Sequence, residues 1–302
     1  MLLMTTFTRE SVPDQTGRTI IVTGANSGIG RQAAQVLADR GARVILAVRS
    51  IEKGQAAAAT MRGDVEVRRL DLSDLASVRS FAQEAPEVID VLINNAGVMV
   101  PPYSRTTDGF ELQMGTNHFG HFALTNLLLD RITDRIVTVS SMGHRFGRID
   151  FEDLDWKRRS YRPMRAYGQS KLANLLFTAE LQRRLTASGS SVIAVAAHPG
   201  AAATNLLRIP EEHKLRARVA QTATRLISQS EEDGALPSLF AAVGEIPGNS
   251  YAGPGGLLEQ QGTPVLVGRS ARARDPEVAK RLWTVSEERT GVTFPALTAS
   301  TR

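Results

Sequence analysis

Apolar residues recur along this 302-residue chain in two rhythms. Runs apolar at almost every position predict strands buried on both faces: RTIIVTG (18–24), ARVILAV (42–48), DVLINNAG (90–97), DRIVTVSS (134–141) and SSVIAVAAHPG (190–200). DVEVRRLDL (64–72) predicts another, third in chain order. Between them lie longer segments with apolar positions three and four apart, some stopped by glycine. These predict helices over 29–41, 51–61, 74–85, about 109–130 and 163–186. After residue 200 the rhythm weakens. Residues 201–230 read as a polar, basic helical insert, and 231–243 and 277–291 as helices. A Gly/Pro-rich stretch, PGNSYAGPGG (247–256), leads to the last elements.

Strands alternating with helices, and apolar on both faces, imply a parallel sheet covered on both sides. That is an α/β, doubly wound architecture of the Rossmann type. No linker, repeat or low-complexity tract divides the chain, so one domain over 1–302 is expected. Composition then narrows the chemistry. An apolar content of 42% supports a core, and the lack of cysteine excludes disulfides, thiolate catalysis and Cys-ligated zinc. A formal charge of +5 raises nucleic acid or an acidic surface as partner. The Lys and Arg are scattered, however, and aromatics make up only 5%, so no stacking platform for nucleic acid is expected. The densest basic cluster, KRRSYRPMR (157–165), reads as a solvated loop. The opening MLLMTTF is too short for a signal peptide, and no segment approaches the ~20 apolar residues that span a bilayer. A cytoplasmic protein with no integral membrane segment is the expectation.

The chemistry begins at TGANSGIG (23–30), between the first strand and the first helix. Gly24, Gly28 and Gly30 allow a sharp turn and close approach of a ligand, with Asn26, Ser27 and Ile29 between them. The helix beyond the loop points N–H groups and a positive dipole end at whatever binds, which suits a pyrophosphate. A tight strand–helix turn without ligand is the plainer alternative. The G-x-x-x-G-x-G spacing resembles the short-chain dehydrogenase/reductase family. The resemblance continues through NNAG (94–97), VSS (139–141), YGQSK (167–171) and HPG (198–200), covering roughly residues 18 to 205.

In such a fold the second strand ends beside the adenosine ribose, where an acidic residue would favour NAD and repel a 2′-phosphate. Here Val48 is followed by Arg49, which can pair with a phosphate, so NADP(H) is expected over NAD(H). The resemblance implies that Asp71 and the backbone of Leu72 meet the adenine, although Asp71 also reads as a helix cap. It implies that Asn95, Ala96 and Gly97 run under the ribose. It places Pro199, Gly200 and Thr204 along the nicotinamide.

Hydride transfer to a ketone also needs a proton donor. A free tyrosine, with a pKa of ~10, is a poor one unless perturbed, and a nearby cation lowers that value. Tyr167 and Lys171 lie four apart, on one helix face. An exposed helix pair is the alternative. The resemblance implies that Tyr167 is the acid/base and that Lys171 tunes it and binds ribose. Ser141 is implied as the second donor to the carbonyl, in preference to Ser140. Asn117 in TNHFGHF (116–122) is implied to prop open a helix and hold a water on the path to Lys171. Tyr167 comes 26 positions after Ser141, longer than in many family members, so 144–163 is expected to loop out. That gap resembles the retinol-dehydrogenase-like and WW-domain-oxidoreductase-like branch.

His118 and His121 read as packing residues, not as a metal pair, and His144 and His198 are left without a role. The insert at 201–230 carries Leu206, Leu207, Ile209, Leu215 and Val219 among basic residues and reads as a lid over an apolar pocket. The expectation is an NADP(H)-dependent oxidoreductase acting on a lipophilic carbonyl or alcohol. A cofactor-binding regulatory or scaffold protein is the alternative. Relatives often pair through the helices of about 109–130 and 163–186, so a homodimer is the default.

Overall fold

The computed structural model describes residues 6–200 and 230–297. The first half alternates strictly: β1 (Thr19–Thr23), α1 (Gly28–Asp39), β2 (Arg43–Val48), α2 (Ile51–Ala58), β3 (Asp64–Arg69), α3 (Leu75–Glu84) and β4 (Ile89–Asn94). The expected helix of 109–130 is three pieces. They are α4 (Leu112–Met114), a π-turn (Gly115–Phe119) and α5 (Gly120–Leu128). Then come β5 (Ile132–Val139), the long α6 (Pro163–Ala187), β6 (Ile193–Ala197), α7 (Glu231–Val243), β7 (Tyr251–Pro254), β8 (Pro264–Leu266) and α8 (Pro276–Thr290).

The strands form one eight-stranded sheet in the order β3-β2-β1-β4-β5-β6-β7-β8. All pairings are parallel except β7 with β8, an antiparallel edge strand that the apolar rhythm did not announce. Successive strand residues feed opposite cores, because strand side chains alternate across the sheet. Ile20, Val22, Val44 and Leu46 pack toward α1 and α7. Ile21, Ile45 and Leu92 pack toward α3, α5 and α6. Chain order reverses beside β1, which lies between β2 and β4. Ligands of open α/β sheets sit at that crevice, beyond the carboxyl ends of the strands.

Two departures bear on the site. The segment 144–163 does not loop out. Leu154 and Trp156 are buried, and Asp155 accepts from Glu111 N at 3.0 Å and pairs with Arg289 of α8. Arg159, from the cluster read as a solvated loop, lies 3.8 Å over the Trp156 ring and pairs with Asp150. Second, α8 packs against α5 and α6, the helices through which a homodimer was expected. Trp283 stacks on Phe177 of α6 at 5.7 Å and meets Phe122 of α5 edge-on at 4.9 Å. Every residue of α6 from Ala166 to Thr178 is buried within the chain. No helix among the described residues is long and apolar enough to cross a membrane.

Candidate active site

The glycine loop and NNAG are pressed together at the ends of β1 and β4. Gly24 has φ +67°, and a Cβ on Gly30 would stand 2.2 Å from Asn95 Nδ2, so neither position admits a side chain. Thr23 Oγ1 accepts from the N–H groups of both Asn95 and Ala96 at 2.9 Å. Asn95 Nδ2 donates to Thr23 O at 2.8 Å. Ser27 is the N-cap of α1, yet its side chain makes no capping bond. The first-turn N–H groups therefore face the crevice without the usual side-chain partner. Gly24, Asn26, Ser27, Gly28, Ile29 and Gly30 thus form a backbone cradle shaped for an anion.

Arg49 is exposed, one residue beyond β2. Asp71 is not the cap of α3. Asp74 is, accepting from Ala76 N at 2.9 Å, while Asp71 Oδ1 accepts from Ser73 N at 3.0 Å in its own turn. The cap reading of Asp71 is corrected accordingly, because Asp74 sits directly before the helix. Leu72 is buried beside it. Pro199 and Gly200 lie just beyond β6 at the same edge of the sheet. Thr204 and the insert at 201–230 lie outside the described residues, except Ser230, which caps α7.

The proton-transfer candidates meet at the end of β5. Ser141 caps a short 3-10 turn, Met142–Phe146, with Oγ accepting from Gly143 N at 3.1 Å. Its hydroxyl favours the ionised form of Tyr167, but burial outweighs it and holds the phenol above its ordinary value. A Cβ on Gly143 would come within 3.0 Å of Tyr167 Cε1, so a glycine keeps that face of the ring open. Lys171 Nζ lies 5.7 Å from the Tyr167 ring centroid and donates to Val139 O at 3.1 Å. Burial lowers Lys171 to about 8. The lysine was expected to lower the tyrosine; in the protein alone, desolvation of both groups dominates instead.

Asn117 lies in the π-turn, where Gly120 N–H bonds to Gly115 O, five residues back. Its side chain grips the backbone after NNAG. Oδ1 accepts from Val98 N at 2.8 Å, and Nδ2 donates to Val98 O at 3.0 Å and to Ser170 Oγ at 2.9 Å. π-turns are frequent at functional sites. Ser140, passed over as the second donor, instead donates to Lys171 O at 2.8 Å and fixes α6.

His118, His121, His144 and His198 are all buried. His118 is lowered to about 3 and His121 to about 4 by burial first, so both are neutral at ordinary pH. No group of three or more metal-ligating side chains occurs among the described residues. His118 Nε2 meets Ser286 Oγ of α8 at 2.9 Å, a packing contact as expected. His144 Nδ1 donates to Ser141 O at 2.7 Å. The His144 contact, like the roles of Thr23 and Ser140, was not assigned from sequence. A neutral histidine bonded to a backbone carbonyl leaves no mark in the pattern.

The family profile described as short chain dehydrogenase matches residues 18–214. The chain belongs to the short-chain dehydrogenase family. Its relatives place it in the retinol-dehydrogenase-like branch. It is 45% identical over 299 residues to retinol dehydrogenase 13 of Homo sapiens, covering 93% of this chain and 87% of that one. It is 42% identical to retinol dehydrogenase 11 of Homo sapiens, covering 89% and 85%. A crystal structure of an uncharacterized protein from Mycobacterium Paratuberculosis is 53% identical, with a TM-score of 0.84 over 96% of this chain and all of that one. A structure described as an NAD(P)-dependent gluconate 5-dehydrogenase from Beutenbergia cavernae, with bound NADP, is 27% identical over 75% of this chain and 90% of that one (TM-score 0.55). A nicotinamide-type oxidoreductase on CH–OH donors is what this membership entails. The glycine cradle, the uncapped helix start and the nearby ammonium of Lys171 fit such a cofactor.

Proposed function

We propose that this short-chain dehydrogenase transfers a hydride between NADP(H) and a lipophilic carbonyl or alcohol, with Tyr167 as acid/base. The observation that carries the reading is the convergence of Tyr167, Ser141 and Lys171 at the end of β5, with Lys171 Nζ 3.6 Å from where a Cβ on Gly97 of NNAG would stand.

The cradle of residues 24–30 holds the pyrophosphate, and Arg49 takes the 2′-phosphate. Asp71 and Leu72 flank the adenine. Asn95, Ala96 and Gly97 lie under the ribose, and Pro199, Gly200 and Thr204 line the nicotinamide side. When bound, the nicotinamide supplies or accepts the hydride. Ser141 and Tyr167 donate to the substrate oxygen, and the phenol moves the proton. An ammonium has three N–H groups, and Val139 O takes one from Lys171, leaving others for ribose hydroxyls and for steadying the phenolate. Asn117 sets Val98 and, through Ser170, the turn of α6 that carries Tyr167.

Two observations favour NADP(H): β2 ends in Val48 and not in an acid that would select NAD, with the exposed Arg49 next to it, and a related structure holds NADP. A lipophilic substrate is favoured by the relatives named for retinol and by Phe146 and Met164, exposed on the segments beside Ser141 and Tyr167. The test is NADPH consumption with aldehydes, ketones and quinones, with Tyr167→Phe as control. General acid–base groups contribute about 10²–10⁴-fold, so that variant should lose at least a hundredfold in kcat. Full activity of Tyr167→Phe would refute the mechanism. NADPH binding without turnover of any substrate would favour a regulatory role.

A further inference from the structure

His121 is fully enclosed beneath the cofactor loop and belongs to none of the roles above. Its Nδ1 lies 3.0 Å from the backbone carbonyl of Asn117, and its Nε2 lies 2.9 Å from Thr23 Oγ1. A carbonyl only accepts, so Nδ1 carries the hydrogen. A neutral imidazole then presents a lone pair at Nε2. Thr23 Oγ1 already accepts from Asn95 N–H and Ala96 N–H, so it donates its own hydrogen, and Nε2 at 2.9 Å is a closer acceptor than the Ile93 carbonyl at 3.4 Å. Each polar atom in the row finds a partner of opposite sense. Burial also keeps the ring neutral, which this pattern requires.

The row joins two parts of the site that are far apart in sequence. One end is the pair of N–H groups in NNAG, under the cofactor. The other is Asn117, whose side chain holds Val98 N and O and Ser170 Oγ. The π-turn loosens the ordinary helix ladder around Asn117, and a ring nitrogen meets its carbonyl there.

We infer that His121 is a positioning residue: its neutral ring ties the Asn117 carbonyl to the Thr23 hydroxyl, so the cofactor loop and the proton-transfer set share one alignment. The inference rests on the dehydrogenase reading only for its effect on turnover. The alignment itself exists in the protein alone.

Three substitutions separate the two halves of the ring. His121→Asn places an amide N–H near the Nδ1 position and loses Thr23. His121→Gln places an amide oxygen near the Nε2 position and loses Asn117. His121→Phe fills the space and makes neither bond. Amide hydrogen exchange, measured residue by residue without cofactor, is the readout. Val98 reports on Asn117 and Ala96 on Thr23, with Val44 in the central sheet as reference. His121→Asn should protect Val98 like the parent but exchange roughly tenfold faster at Ala96. His121→Gln should show the reverse, and His121→Phe should be fast at both, with Val44 unchanged in all three. Should His121→Phe not fold, the opposed Asn and Gln patterns suffice. In turnover, His121→Asn should keep more of kcat than His121→Gln.

Equal exchange patterns for Asn and Gln, or parental exchange at both amides in His121→Phe, would overturn the inference. The two readings fail separately. A parent with no turnover but the split exchange pattern sinks the dehydrogenase reading alone. An active parent with a flat pattern sinks the role of His121 alone.

Discussion

Replacing Lys171 with methionine should make the protein without cofactor more stable while abolishing turnover. The ammonium is buried in the site, and its enclosure lowers the group from 10.5 to about 8. A proton is thus held less tightly in the folded chain than in the unfolded one. Below pH 8 both states are charged, and the folded state carries the full penalty. At about 1.4 kcal/mol per tenfold change in proton affinity, that is about 3 kcal/mol. As pH rises from about 8 to 10.5 the folded lysine is neutral while the unfolded one still binds its proton, so the penalty shrinks; above 10.5 it vanishes. Methionine fills similar space without charge. It gives up the bond to Val139 O, worth about 1 kcal/mol, but that carbonyl still accepts from Asn174 Nδ2 at 3.0 Å. The net gain at pH 7 is then about 2 kcal/mol. Urea titrations of parent and Lys171→Met at pH 7, 8, 9 and 10.5, without NADPH, would measure it. A variant less stable than the parent at pH 7, or a difference that does not shrink above pH 8, would refute the reasoning.

Arg49→Ala should weaken NADPH binding at least tenfold and leave NADH binding within about twofold, since one charge-assisted phosphate contact is worth about 1.5–3 kcal/mol; fluorescence titration with both cofactors checks it. Gly143→Ala puts a Cβ 3.0 Å from Tyr167 Cε1, so kcat should fall by about tenfold while the melting temperature holds. Trp283→Ala should cost about 3–5 kcal/mol of unfolding free energy, read by denaturant titration, because the indole fills the space between α5 and α6. With those faces covered, the parent should elute from size exclusion as a single chain at micromolar concentration; a stable dimer would show that another surface pairs.

Five of the first six strands were legible because each is apolar on both faces, a pattern only a covered sheet requires; β3 instead places Val65 and Val67 among charged residues and is only half-buried. β8 was not, since Pro264–Leu266 is three residues long and two of them are exposed. The structure brings the glycine loop against NNAG, and Ser141 and Lys171 beside Tyr167. The π-turn has no local signature; Asn117 turns toward Val98, which only the fold brings within reach. The packing of 144–163 was hidden for the same reason. Its acidic and aromatic side chains find partners at Glu111, Gln113 and Arg289, far away in sequence. The balance at Tyr167 was misjudged because helix spacing reports the neighbour and says nothing of desolvation.

The π-turn also says where this chain tolerates a change of length. Removing one residue from Gly115–Phe119 would restore a regular helix and rotate α4 by about 100° relative to α5. Glu111 and Gln113 stand just ahead of the turn and hold Tyr161, while Asn117 and His121 stand in it and just beyond. One deletion would therefore undock the 144–163 segment and misalign the cofactor loop together. A residue removed from an exposed part of that segment, at Lys157 or Arg158, would cost a backbone bond to Asp153 but leave the helix behind the site in register. The helix behind the site acts as an indexing rod, and insertions or deletions are confined to the segments it does not index.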